Sequence, residues 1–156
     1  MRKWLPIVLL CCGPLVADQY SGPRPPKPDL PYLMHADNLV PTESAEAKQE
    51  DHKSEITFVI AGAHSTARTP LASPAFLIST NEIQADHLQL YKLQSKGDQR
   101  EVLLRRRNKL VAHPRRLNVT RVEEGLYKIE VDEILENGEY SLSPTDSNLV
   151  FCFEVY

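Results

Sequence analysis

The amino-acid sequence predicts an all-β fold: an antiparallel β-sandwich of about seven to eight strands behind an irregular N-terminal arm. Three observations predict it. From residue 56 onward the chain is a series of short runs rich in β-branched and aromatic residues, with apolar and polar positions alternating. Turn residues separate the runs at about 8–12-residue spacing, the interval expected of a sandwich or barrel. No helical pattern of about ten residues lies between the runs, which argues against a parallel α/β sheet.

The chain opens on a different kind of segment. Arg2 and Lys3 precede LPIVLLCCGPLVA (residues 5–17), and Asp18-Gln19 ends the apolar run. A positive start, an apolar stretch shorter than the about 20 residues a bilayer needs, and a small residue at its end are the anatomy of a secretory signal peptide, residues 1–17. The protein is therefore expected to be exported, periplasmic or extracellular, with no membrane span after signal removal. A lipid anchor on Cys11 or Cys12 fits less well, because Leu10 and Cys11 stand where a small residue is needed. Cleavage removes two of the three cysteines and the single tryptophan, Trp4. Cys152 is left alone, so neither an internal disulfide nor a cysteine zinc site can form. Losing Arg2 and Lys3 takes the formal charge from −3 to −5, a modest acidity that favours solubility and names no partner.

Residues 18–55 read as a Pro-rich and polar arm, partly ordered or disordered. SGPRPPKPDLP (21–31) holds five prolines, a density that no helix or central strand tolerates. PTESAEAKQEDHKSE (41–55) is polar, with Thr42 and Glu43 suited to a helix start, and is expected to form a short helix or stay disordered. YLMHADNLV (32–40), apolar between the two, is expected to dock on the domain or to reach a partner.

Residues 56–156 read as the β-sandwich domain. ITFVI (56–60) and AFLIS (75–79) are its first strands. HLQLYKLQ (87–94) and REVLLR (100–105) form a hairpin around Gly97. LNVTRV (117–122) and LYKIEV (126–131) form a second around Gly125, and EYSLS (139–143) and NLVFCFEV (148–155) complete the set. Alternation puts Leu149, Phe151, Phe153 and Val155 on one face, with Tyr140 and Leu142 of the preceding strand. Val150 and Cys152, like Glu139 and Ser141, fall on the opposite, less buried face.

Between the last strands stands LENGEY. Leu135 is placed to plug the core, Gly138 to take a backbone conformation closed to residues with a Cβ, and Tyr140 to bond its hydroxyl to upstream backbone. This corner resembles that of immunoglobulin-like and fibronectin-like sandwiches, over residues 56–156. It departs from antibody domains, because Leu142 stands where they carry a cysteine and the strand-C tryptophan is missing. PYLMHADNLVPTE with ENGEYSLSP and VFCF also resembles small exported bacterial proteins of uncharacterised function. That resemblance implies a single β domain and transfers no catalytic residue.

The search for chemistry is mostly negative. The five histidines are widely scattered, and no His-x-His, His-Glu-x-x-His, Gly-x-Ser-x-Gly or phosphate-loop pattern occurs. His64 and Ser65 are adjacent, and neighbours on an extended chain point apart. No catalytic, cofactor or metal residues are therefore assigned. The one patterned feature is RRRNKLVAHPRR: Arg105, Arg106, Arg107, Lys109, Arg115 and Arg116 with no acid among them. Such a run is a candidate anion-binding site, through multiple charged donors. Aromatic residues for base stacking are absent from it, which argues against nucleic acid. The expected function is an exported non-enzymatic binding or structural accessory module of the cell envelope. Its partner would be an anionic envelope component or another exported protein. The alternatives are an envelope hydrolase with an unrecognised site, or an interaction subunit using the N-terminal arm.

Overall fold

The computed structural model describes residues 19–156. The signal-peptide reading and its boundary at residue 17 lie outside the described residues. Fourteen strands and one 3-10 turn (Ala85–His87) make up the fold. The eight anticipated strands are β5 (Glu55–Ala61), β7 (Ala75–Ser79), β8 (Leu88–Lys96), β9 (Gln99–Arg106), β11 (Leu117–Glu123), β12 (Leu126–Val131), β13 (Gly138–Pro144) and β14 (Leu149–Val155). The hairpin glycines have the positive φ their turns need, +65° at Gly97 and +70° at Gly125.

The other six strands correct the expectation. β1 (Tyr32–His35), β2 (Asn38–Pro41), β3 (Glu43–Glu46) and β4 (Lys48–His52) lie in the segment read as an irregular arm, and β6 (Arg68–Thr69) and β10 (Lys109–Leu110) are two-residue strands. Residues 19–31, ahead of β1, form no strand. YLMH pairs with β7, so the apolar stretch is spent inside the domain rather than on a partner. The polar stretch hid its strands for a physical reason. Glu43, Ala45 and Ala47 face inward and Ser44, Glu46 and Lys48 outward, a period-2 pattern whose apolar half is alanine, a poor strand former.

Two layers result. The first sheet runs β11-β12-β7-β1-β2. Against it packs β14-β13-β8, and the two enclose a core of Leu33, Phe76, Ile129, Tyr140, Leu142 and Phe153, all at most 1% exposed. Phe153 sits at its centre, 5.0 Å edge-on to Phe76 and 5.6 Å stacked on Tyr140. The orders β11-β12-β7-β1 and β14-β13-β8-β9 are those of the D-E-B-A and G-F-C-C′ strands of an immunoglobulin-like sandwich. At the corner before β13, the Tyr140 hydroxyl donates to the Glu136 carbonyl at 2.7 Å. Leu135 is buried there, and Gly138 has φ +147°.

The second sheet does more than face the first. Its order is β3-β14-β13-β8-β9-β5-β4, and its two outermost strands are joined by Ala47 alone. Residues 43–52 thus act as one bent strand, pairing with β14 by its first half and with β5 by its second. The sheet closes into a ring with its own interior. Ile60, Leu93, Val150 and Cys152 fill that interior together with Ala47, Phe58 and Val102. Cys152, expected on the less buried face, is fully buried here, and burial pushes its thiol up to about 12.

The stretch before β1 is pinned by one carboxylate. Asp29 accepts the backbone N–H groups of Asn81 (2.9 Å), Glu82 (3.0 Å) and Ile83 (3.0 Å). Partial burial pushes its carboxyl up, but the three N–H bonds outweigh burial and hold it below its ordinary value. A depressed folded-state value means the stabilisation is complete above the unfolded value, about pH 4, and disappears as pH falls through the folded one. Asp29→Asn is therefore expected to destabilise the protein at pH 7 by about 1–2 kcal/mol. It should match the parent near pH 2. Equal urea midpoints at both pH values would contradict this account.

Candidate functional site

The basic run folds into the end of the ring. β9 continues to Arg106, and Arg107-Asn108 turns the chain so that Lys109 pairs with Arg106 and Leu110 with Arg105. Both turn residues have positive φ, +48° and +62°, the signature of a type I′ two-residue hairpin. Asparagine accepts this conformation, whereas arginine is held there at a cost of about 1 kcal/mol. The β4–β5 hairpin turns beside it through Lys53, φ +55°, and Ser54. Arg107 N–H donates to the Ser54 carbonyl at 2.7 Å and fastens the two tips together.

The fastened tips gather Lys53, Arg105, Arg106, Arg107 and Lys109. Lys53 and Arg105 border one shallow dent together with Asp51 and Glu55, and Lys53, Arg106 and Arg107 border a second with Glu55. Arg106 is neutralised by Glu55 at 2.7 Å. Among the described residues no carboxylate pairs with Lys53, Arg105, Arg107 or Lys109. The other two members of the predicted set lie elsewhere. Arg115 is 3.5 Å from Glu133, and the Arg116 backbone N–H donates to the same carboxylate at 2.7 Å. The run of six is therefore divided: four cations belong to the tip, and Arg115 and Arg116 brace the acidic turn before β13. Lys53 is the addition that sequence spacing did not reveal, because pairing of Glu55 with Arg106 brings it over from residues far earlier in the chain.

At the ring's other end stands a buried charge network. Arg100 is fully buried. Its Nε donates to the Gly62 carbonyl (2.8 Å), Nη1 to Ser65 Oγ (2.6 Å), and Nη2 to Glu43 Oε1 (2.6 Å) and the Ala61 carbonyl (2.8 Å). Nη1 is also 3.7 Å from Glu139. Glu139, read as outward-facing, points into the ring and is 4% exposed. It accepts the Ser65 backbone N–H and hydroxyl, and His64 Nδ1 lies 3.3 Å away. Glu43 Oε2 accepts the Thr66 N–H at 2.7 Å. Every buried side-chain polar atom among the described residues has a partner.

This network does not form a nucleophilic triad. A triad needs the imidazole between hydroxyl and carboxylate, whereas here the carboxylate stands between Ser65 and His64. His64, Glu139 and Glu154 bring three potential metal ligands within 4.8 Å of one another. Both carboxylates are already engaged, Glu139 by Ser65 and Glu154 by Arg68 at 2.9 Å. The network closes one end of the ring, and the charged tip with free donors is at the other.

No family model matches the chain, and neither does any curated protein or solved structure.

Proposed function

We propose that the protein is an exported, non-enzymatic accessory module of the cell envelope that holds anionic envelope components through its paired hairpin tips. The observation that supports this reading is the convergence of Lys53, Arg105, Arg107 and Lys109 without acidic partners, on a chain whose net charge is negative. Each exposed cation contributes only about 1 kcal/mol in water, so binding depends on several acting on one polyanion. Salt weakens such binding steeply. Export rests on the leader-like pattern of residues 1–17.

Retention on a sulfated polysaccharide matrix tests the reading. The parent chain is expected to elute at distinctly higher salt than Arg105→Ala/Arg107→Gly/Lys109→Ala, with affinity lower by tenfold or more in the variant. Glycine at 107 relieves the left-handed backbone, so the variant should keep its thermal stability. Unchanged retention would remove the proposal. An envelope hydrolase is less well supported. The hydroxyl it would use, on Ser65, is 4% exposed and turned onto Glu139.

A further inference from the structure

The ring is filled unevenly along its axis. Arg100 and its partners close one end, and Leu93, Ile60, Val102 and Cys152 fill the middle. Towards the end that carries the basic tips, the walls separate. β8 and β9 pair only from Gln94–Glu101 to Lys96–Gln99, next to their hairpin turn, and then diverge. β5 and β9 lose register between Ile56 and Thr57. Bulges and splayed strands widen a ring. The inward residues on part of this wider circumference are small: Ala47, Ser143 and Val150. They cannot fill it, and a cavity of about 110 Å³ remains.

We propose that this cavity is a binding site for a small uncharged molecule of about one ring, carrying a single hydroxyl or carbonyl. Mouths of β-barrels are preferred ligand positions, with apolar walls and a few placed polar groups. Phe58, Ile60, Tyr91 and Leu104 supply an apolar and aromatic wall, and no charged side chain lines the space. A bare ion entering would lose water without gaining a counter-charge. Ser143, Thr145, Ser147 and Asn148 also line the space, and Gln89, beside the aromatic wall, is the polar group held in place for a ligand. Tyr91 donates its hydroxyl to Gln89 Oε1 at 2.8 Å, which fixes the amide and leaves its N–H groups for an acceptor on the ligand. The tyrosine hydroxyl is thereby committed, and burial pushes its own ionisation up. At about 110 Å³ the space is smaller than the engineered cavity of about 150 Å³ that takes up benzene in another protein, and its open mouth gives the remainder of a single ring room to project. The site is separate from the charged tips, and it would stand if they bound nothing.

Phenol is the probe. In a titration of the folded protein followed by amide NMR, in buffer with enough salt to screen the tips, phenol is expected to bind saturably. Shifts should concentrate at Phe58, Gln89, Tyr91, Ser143 and Val150. Benzoate, the same ring with a charge, should bind at least tenfold more weakly, and Gln89→Leu should reduce phenol binding severalfold. Ala47→Leu fills the cavity and should abolish binding while the spectrum stays folded. Val150→Phe serves the same purpose from the β14 wall if that variant fails to fold. Absence of saturable phenol binding would overturn the proposal. So would undiminished binding by a folded cavity-filling variant, or equal affinity for phenol and benzoate.

Discussion

Arg100→Ala is expected to destabilise the protein by about 3–5 kcal/mol, a large fraction of the stability of an ordinary domain. The cost arises less from the lost attraction than from what stays behind. Glu139 would remain buried, and Glu43 mostly buried, both as carboxylates without their cation. The Gly62 and Ala61 carbonyls and the Ser65 hydroxyl would lose their donor as well. Urea unfolding measures the effect as a lower midpoint with an unchanged slope. A triple replacement, Arg100→Met with Glu43→Gln and Glu139→Gln, should recover much of the loss, because exchanging a whole buried ionic group for neutral residues is often close to neutral. A loss below about 1 kcal/mol for Arg100→Ala would mean that water reaches the network.

Phe153→Ala is expected to cost a similar amount, about 3–5 kcal/mol, by a different route. The ring is fully buried between Phe76 and Tyr140, at the level where the first sheet meets the wall of the ring. Truncation removes its buried area and leaves a void that two neighbouring strands, each paired on both sides, cannot collapse to fill. The two large predictions separate experimentally. Xenon or benzene should stabilise the Phe153→Ala protein more than the parent, since an apolar void accepts an apolar guest, and should stabilise Arg100→Ala no more than the parent.

Residues with strong local preferences announced their places. The β-branched and aromatic runs from ITFVI to NLVFCFEV, the glycines at 97 and 125, and LENGEY before β13 each carry a pattern that needs no distant partner to be read. The strands of residues 43–52 did not, because alanine and glutamate fill their inward positions. A glutamate pointing inward makes sense only once Arg100 is known to meet it, across a long stretch of chain. Glu139 is hidden for the same reason: it follows the alternation of its strand, but nothing local marks its face as the inside of a ring rather than solvent. The basic run was visible as charge and invisible as geometry. Arg107 is a poor candidate for a left-handed turn, and only Asn108 beside it hinted at one.

The bent strand at residues 43–52 also sets a timetable. It appears early as the polypeptide emerges, yet the neighbour of its first half is β14, almost the last stretch to appear. The annulus cannot be sealed, nor Cys152 and Arg100 sequestered, until nearly the whole polypeptide is present. Such distant pairing makes for slow acquisition of structure. Under the proposed export, that delay would keep the polypeptide pliable until it had passed a translocation channel.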